Sequence, residues 1–318
     1  MDAVEPSETL PAPPTVEHCY RHPDTATGVH CTRCERPICT RCMIPAPVGY
    51  QCPECVERAR REYRRGPGRP RISTRALSAT KVLLVLLLIG FLVELAAGGS
   101  ASAVNGPNER TLLRLGAMQP YLVADGQYWR LFTAIFLHAG LLHIAFNAYA
   151  LWLIGNFVED AYGSARMVAL FFVTGFLASA VSYAFGPPLI TGVGASGAVF
   201  GIFGAFIAYH FRRRHLAMSS ASLRWAMTMI LINAVIAFTF PGIDWRAHVG
   251  GLVAGFLGGA TLEGFGRAGT RRLVAIAGMG VLIVVGLALV VWRTDQIRAL
   301  PEFAQAVRFL HRLSGAPG

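Results

Sequence analysis

Long apolar runs dominate the chain beyond residue 81, and they constrain its fold more than any other feature. A bilayer core of about 30 Å is crossed by roughly 20 consecutive apolar residues in a helix. The chain is only 15% charged, whereas soluble domains are about 25% charged. We therefore predict an all-α polytopic membrane protein. The predicted spans are residues 81–98, 141–158, 167–185, 196–211, 223–240, 248–265 and 273–292.

Basic residues are concentrated on one side of these spans. They cluster before the first span, between the fourth and fifth (Arg212, Arg213 and Arg214), and between the sixth and seventh. Because such residues stay in the cytoplasm, we predict a multi-pass cell-membrane protein with a cytoplasmic N-terminus and an extracytoplasmic C-terminus. The net charge of +11 is then a topology signal, and no nucleic-acid partner is predicted.

All seven cysteines lie in the polar segment before the first span, between residues 19 and 55. With one histidine they form four pairs of two-residue spacing, and both members of such a pair reach one tetrahedral zinc ion. Because the second and third pairs are close in sequence, we predict two structural zinc ions held in a crossed arrangement. One set is Cys19, His22, Cys39 and Cys42, and the other is Cys31, Cys34, Cys52 and Cys55.

Two alternatives exist for this cysteine-rich head. Disulfides or unpaired thiols are disfavoured by the odd cysteine count and by the predicted reducing compartment. His18 and His30 also neighbour ligand cysteines and compete with His22 for ligation. The spacing resembles a B-box-type zinc finger, which implies a binding or regulatory role with a cytoplasmic partner that the sequence does not identify.

Two polar residues at the ends of spans indicate hydrolytic chemistry. Arg212 is 16 positions after Ser196, which corresponds to about 24 Å of helix and is shorter than the bilayer core. We therefore expect Ser196 to lie below the outer boundary, next to non-helical backbone that requires protein or water around it. His248 is an ionisable residue within a span, which marks a functional site. To activate Ser196, its ring must approach the hydroxyl to about 3 Å.

Glycines on the two spans that carry Ser196 and His248 would permit this approach. A spacing of four residues places small side chains on one helix face, where two helices pack closely. We therefore predict direct contact between the two spans. The glycines are Gly197, Gly201 and Gly204 on one span, and Gly251, Gly255 and Gly259 on the other.

His143 and Asn147 are four residues apart and share a helix face. Both side chains donate hydrogen bonds, as an oxyanion hole for acyl transfer requires. The alternative is a buried polar pair that joins helices. The sequence has no His-Glu-x-x-His and no Gly-x-Gly-Asp motif, so a serine–histidine dyad is the predicted chemistry.

Together, five motifs in this order resemble the rhomboid family of intramembrane serine proteases. They are Trp129-Arg130, His138 with His143 and Asn147, Glu159-x3-Gly163, Gly194-Ala195-Ser196-Gly197, and Ala247-His248-x2-Gly251-x3-Gly255. The resemblance implies Ser196 as nucleophile, His248 as general base, and an oxyanion hole from His143, Asn147 and the Ser196 backbone N–H. It also implies transmembrane protein substrates, cleavage near the outer leaflet of the lipid bilayer, and no catalytic cofactor.

Phe200 stands where many rhomboids have a tyrosine stacked on the histidine, and we assign it to dyad support with Gly194, Gly251 and Gly255. The predicted fold is a rhomboid-like six-helix bundle plus a seventh C-terminal transmembrane helix. The segments are a disordered N-terminus (1–18), a double-zinc B-box-like finger (19–56), a basic flexible linker (57–80), the protease core (81–270), the seventh helix (271–293) and an extracytoplasmic tail (294–318).

The long first loop, residues 99–140, is amphipathic, and we expect it to be half-submerged in the outer leaflet. Two other functions remain open at this stage. One is a catalytically silent rhomboid-like binding or adaptor protein, and the other is a zinc-head adaptor whose spans serve only as an anchor. Both catalytic residues are present, which favours the protease.

Overall fold

The computed structural model describes residues 16–46, 48–65, 78–98, 106–239, 242–263 and 268–315. The chain divides into two compact units, residues 1–69 and 70–318. Most of the predicted disordered N-terminus lies outside the described residues, as do residues 66–77 of the predicted linker. The same holds for the predicted ends of the fifth and sixth spans, at residues 240 and 264–265.

The first unit consists of two short antiparallel hairpins and one helix. Its core contains six of the seven cysteines and Ile38 instead of a set of large apolar side chains. A core this small supplies little hydrophobic stabilisation. The elements are β1 (His18–Cys19) paired with β2 (His22–Ala26), β3 (Ile44–Pro45) paired with β4 (Tyr50–Gln51), and α1 (Pro53–Arg65).

Helix α1 extends through residues 57–65, where the sequence predicted a flexible linker. That part of the prediction is wrong. Glu57 and Arg61 form a salt bridge of 2.5 Å at the i,i+4 spacing that supports a helix. The segment also contains no glycine and no proline after Pro53, so its residues are compatible with a helix.

The described secondary structure of the second unit is helical apart from an isolated β-bridge between Met118 and Gly192. Its helices are α2 (Ala79–Gly98), α3 (Glu109–Leu115), α4 (Pro120–Ala124), α5 (Arg130–Thr133), α6 (Leu141–Tyr162), α7 (Ser164–Phe185), α8 (Ser196–Arg212), α9 (Ala217–Thr239), α10 (Trp245–Glu263), α11 (Ala268–Arg298) and α12 (Phe303–Ser314).

Five helices of the described chain have both the length and the apolar composition of a membrane span: α2, α6, α7, α9 and α11. The prediction of an all-α polytopic membrane protein is therefore confirmed. Helices α8 and α10 also fall on predicted spans. However, α8 has only 17 residues, and α10 contains five glycines within its 19 residues. They contact each other and α7. Their sequences therefore reflect packing against neighbouring helices more than contact with lipid.

The contact between α8 and α10 is the most extensive in the second unit, as the glycine pattern predicted. A methyl group added at Gly255 would overlap the carbonyl oxygen of Gly201, and one at Gly251 would overlap that of Gly197. A methyl group at Gly259 would lie 2.8 Å from the Cα of Ala205. The two backbones therefore touch along the whole interface, which larger side chains would prevent.

Glu159 fastens the start of α2 to the end of α6. Its carboxylate accepts hydrogen bonds from the backbone N–H groups of Ala79 (2.8 Å) and Thr80 (2.9 Å), and from the hydroxyls of Thr80 and Ser164 (both 2.7 Å). These backbone groups have no partner within their own helix. The Glu159 motif is thus a helix cap that joins three helices.

The first loop is folded against the protein more than the sequence predicted. Leu113, Tyr121 and Leu131 were expected to face lipid, yet each is at most 2% exposed. Arg130 is buried beneath them and donates hydrogen bonds to the carbonyls of Leu113 (2.8 Å) and Ala117 (2.9 Å). The apolar residues of α3, α4 and α5 therefore share one core with residues of α7, α11 and α12.

The C-terminal segment packs on this loop. Helix α12 contacts α3 and α4, and the carbonyl of Ser314 accepts a hydrogen bond from Arg114 (3.2 Å). Arg298 at the end of α11 donates to the carbonyl of Ala124 (2.7 Å). The tail beyond α11 is therefore an ordered brace on the same face of the bundle as the first loop.

Candidate active site

Ser196 is the first residue of α8, where backbone N–H groups have no partner within the helix. The turn before it requires Gly194, whose φ of +125° lies in the region that favours glycine. The Gly194 N–H donates to the carbonyl of Ala134 (2.9 Å). Ser196 is half-buried.

The uncharged loop before Ser196 is fixed by the first loop. Met118 and Gly192 form a reciprocal pair of backbone hydrogen bonds of 3.0 and 2.7 Å. The Gln119 side chain donates to the carbonyl of Pro188 (3.1 Å). Polar backbone in this loop is thus paired with protein, as irregular backbone within a membrane domain must be.

His248 lies in the first turn of α10, and its ring stacks on Phe200 of α8. The ring centroids are 4.4 Å apart and the planes differ by 15°. Phe200 is one helical turn beyond Ser196, so the stack places the imidazole on the serine side of α8. The aromatic contact predicted for Phe200 is present, without the hydroxyl that a tyrosine would add.

The described residues Ser196 and His248 are not joined by a hydrogen bond in this structure. Their helices meet at this level, because an added methyl group on Gly197 would lie 3.5 Å from the carbonyl oxygen of Ala247. Catalytic hydrogen bonds in ligand-free enzymes are often long and tighten only with substrate. The packing thus places Ser196 and His248 on adjacent stretches of backbone. A hydrogen bond between them then requires only a change of side-chain conformation.

Asp244 is a site residue to which sequence reasoning gave no role. Its carboxylate accepts a hydrogen bond from the backbone N–H of Ala247 (3.2 Å) and another from the hydroxyl of Ser182 in α7. It therefore caps the helix that carries His248 and ties it to α7. An aspartate immediately before a helix, four residues ahead of the histidine, is the signal that identifies it.

His143 and Gly194 lie against each other. A methyl group added at Gly194 would be 2.8 Å from His143 Nε2 and 3.8 Å from Ser196 Oγ. Only glycine leaves the imidazole room beside the serine loop. His143 Nδ1 in turn accepts a hydrogen bond from the backbone N–H of Ala139 (3.2 Å), which leaves Nε2 as the N–H donor.

Asn147 is 5% exposed and uses one amide N–H within its own helix, donating to the carbonyl of His143 (2.8 Å). A side-chain amide has two N–H groups, so the second is left for a ligand. His143 and Asn147 therefore share a helix face as predicted, and the hydrogen bond between them runs from the Asn147 side chain to the His143 backbone carbonyl.

In the first unit, the ligand atoms form the two groups that the sequence predicted. Within each group they all lie within 4.8 Å of one another, and all seven cysteines are free thiols. His22 Nδ1 lies 3.3 Å from Cys39 Sγ and 3.4 Å from Cys42 Sγ. Cys34 and Cys52 sulfurs are 3.7 Å apart, close to the edge of about 3.8 Å that a tetrahedron with Zn–S bonds of about 2.3 Å has. The donor sets thus fit zinc.

Hydrogen bonds favour the thiolate form of Cys34 and Cys31 in the second group, whereas burial raises the pKa of Cys42 to about 11 and that of Cys55 to about 12. The Arg36 guanidinium hydrogen-bonds to Cys34 Sγ (3.3 Å) and lowers the pKa of that thiol to about 6. The backbone N–H of Cys52 donates to Cys31 Sγ (3.2 Å). His30, the rival of His22, is paired with Glu17 and lies outside both groups.

Residues 125–264 match the Rhomboid domain. The chain is 36% identical over 191 residues to "Rhomboid protease GluP" of Bacillus subtilis (strain 168), covering 59% of this chain and 36% of that protein. It is 34% identical over 160 residues to "RHOMBOID-like protein 5" of Arabidopsis thaliana, covering 49% and 51%. Identity to "Rhomboid-like protease 2" of Toxoplasma gondii is 31% over 211 residues, covering 63% and 74%. The chain thus spans about a third to a half of the first two relatives.

Proposed function

Because this chain belongs to the rhomboid family, we propose that it is an intramembrane serine endopeptidase that uses a Ser196–His248 dyad. The single observation that carries the proposal is the backbone contact of α8 with α10, the two helices that begin next to Ser196 and His248. Polar groups placed together on tightly packed membrane helices mark function more than stability.

In the proposed reaction, a ring nitrogen of His248 takes the proton of the Ser196 hydroxyl while Oγ attacks the scissile carbonyl carbon. The tetrahedral oxyanion is stabilised by the Ser196 backbone N–H, His143 Nε2–H and the second N–H of Asn147. His248 then gives its proton to the leaving amine. Water, deprotonated by His248, attacks the acyl-enzyme ester and restores the serine.

The proposed substrates are transmembrane proteins, cleaved near the outer leaflet. The membrane orientation, with a cytoplasmic N-terminus and an extracytoplasmic C-terminus, remains a proposal that rests on the distribution of arginines. It agrees with the position of α12 on the same face as the first loop, since both are then extracytoplasmic.

The direct test uses the detergent-purified protein, a fluorophosphonate probe that reacts with activated serines, and a model transmembrane substrate. Wild type should be labelled and should cleave the substrate, whereas Ser196→Ala should do neither. Equal labelling and cleavage by the two proteins would remove the proposed activity.

Phe200 offers a graded test of dyad positioning. Phe200→Ala should lower kcat about tenfold at unchanged KM, because a stacked aromatic pair contributes about 0.5–1.5 kcal/mol. Phe200→Tyr keeps the ring and should stay within about threefold of wild type. Steady-state cleavage assays of both variants measure the difference, and equal kcat values for Ala and Tyr would exclude a positioning role for the ring.

We propose that the first unit is a structural zinc module that takes no part in the chemistry. Cys19, His22, Cys39 and Cys42 would hold one ion, and Cys31, Cys34, Cys52 and Cys55 the other. Such an ion supplies folding free energy to a domain with a small core. A cytoplasmic partner of this head is also part of the proposal, as the resemblance to a B-box-type zinc finger implies.

Metal removal tests whether the zinc module is independent of the chemistry at Ser196. A strong chelator, or Cys31→Ser, should unfold residues 19–55 and leave fluorophosphonate labelling of Ser196 within about twofold. Proteolytic sensitivity of the head and probe labelling are measured on the same sample. The control is Asp24→Ser, at an exposed position of the same unit. Loss of labelling on chelation would show that the module belongs to the active unit.

A further inference from the structure

Glu94 is a completely buried carboxylate in the last turns of α2, and neither dyad chemistry nor helix capping has given it a role. Burying a carboxyl group is costly unless hydrogen bonds satisfy it. In membrane helices such residues are rare and mark functional positions.

The carboxylate of Glu94 holds an extended segment of the first loop. Its Oε1 accepts a hydrogen bond from the backbone N–H of His138 (2.8 Å). One helical turn earlier, Gly90 lies directly against the Phe136 carbonyl, where an added methyl group would overlap it. Leu137 between these contacts is extended, with φ −96° and ψ 149°. Two positions on one face of α2 therefore clamp two alternate residues of the segment.

The next amide of the same segment fixes the ring of His143. The Ala139 N–H donates to His143 Nδ1 (3.2 Å), so this nitrogen is the acceptor and Nε2 has the proton. Nε2 faces the serine loop, because a methyl group at Gly194 would lie 2.8 Å from it. A neutral His143 can donate a hydrogen bond to an oxyanion at this position only as the Nε2–H tautomer.

From this chain of contacts we infer that Glu94 is a positioning residue for the oxyanion hole, acting through the backbone of residues 138 and 139 on the tautomer and orientation of His143. The inference rests on the proposed protease function. Glu94 is not proposed to contact the reacting atoms. Its proposed effect is limited to the orientation of the His143 Nε2–H group.

The test compares two substitutions of similar size in the full-length protein. Glu94→Gln retains an oxygen acceptor for the His138 N–H and should keep kcat within about threefold of wild type. Glu94→Leu removes the acceptor and should lower kcat by roughly ten- to a hundredfold with KM within about twofold. That loss lies below the roughly 10²–10³-fold cost of deleting a whole oxyanion donor.

A spectroscopic readout separates positioning from general damage. In protein with ¹⁵N-labelled histidine, the His143 signals, assigned by their loss in His143→Ala, should report the Nε2–H tautomer in wild type and Glu94→Gln. Glu94→Leu should show a mixture of tautomers. Unchanged His143 signals in Glu94→Leu, or a folded Glu94→Gln as slow as Glu94→Leu, would overturn the inference.

The two proposals fail in different ways. If wild type cleaves no better than Ser196→Ala, the protease function is lost, but the His143 tautomer still decides whether Glu94 acts on that ring. If wild type is active and Glu94→Leu keeps kcat within twofold, only the role of Glu94 is lost.

Discussion

Replacement of His248 by alanine is expected to lower kcat by roughly 10⁴- to 10⁶-fold, and Ser196→Ala is expected to lower it by as much. Without a base, the Ser196 hydroxyl keeps its proton and is a poor nucleophile in this half-buried site. Because the two residues act as one unit, the double variant should be no slower than either single variant. Cleavage of a transmembrane substrate in detergent measures all three rates.

The matched control is His215→Ala, which removes an exposed histidine between α8 and α9. It should leave kcat within about twofold. A His248→Ala protein that retained more than a tenth of wild-type kcat would contradict the dyad. A double variant much slower than both single variants would show that Ser196 and His248 act independently.

Replacement of Gly255 by alanine is expected to damage both folding and catalysis, although it adds one methyl group. That group would overlap the carbonyl oxygen of Gly201, and the two backbones must separate to accommodate it. Such overpacking costs about 1–3 kcal/mol. The helices that carry Ser196 and His248 move with the backbone, and a misplacement of about 1 Å costs roughly 10²-fold in rate. The melting temperature and kcat should therefore both decrease.

Gly280→Ala is the control for this prediction. Gly280 lies in α11 with open space around the added methyl group, and alanine is a better helix former than glycine. This variant should keep the wild-type melting temperature or exceed it, with unchanged kcat. If Gly255→Ala behaved as Gly280→Ala does, direct backbone contact between α8 and α10 would not be needed for the site.

Several features of the fold follow from local sequence. Apolar runs of span length predicted the helices of the bundle, and the glycines spaced by four predicted that α8 packs on α10. The two-residue spacing of cysteine pairs predicted how eight ligands divide into two groups. These predictions succeed because each depends on a periodicity or spacing that the chain itself contains.

Other expectations failed because they depended on contacts between distant residues. The first loop was expected to be half-submerged in the outer leaflet, but Leu113 and its apolar neighbours are buried against residues of α7, α11 and α12. Residues 57–65 were expected to be flexible, but they continue α1. Composition does not distinguish an apolar residue that faces lipid from one that is covered by a segment distant in sequence.

The residue types alone determined the class of the protein, its family and its candidate chemistry, because membrane spans, metal-ligand pairs and short catalytic motifs are encoded locally. The roles of Ser196, His248, His143 and Asn147 were proposed at that level and stay predictions. Only the tertiary structure decided that Asp244 accepts a hydrogen bond from Ser182 of α7, that α12 braces the first loop, and that Glu94 reaches His138. Each of these joins segments that the sequence does not relate, and a hydrogen bond between them is fixed only when the helices have packed.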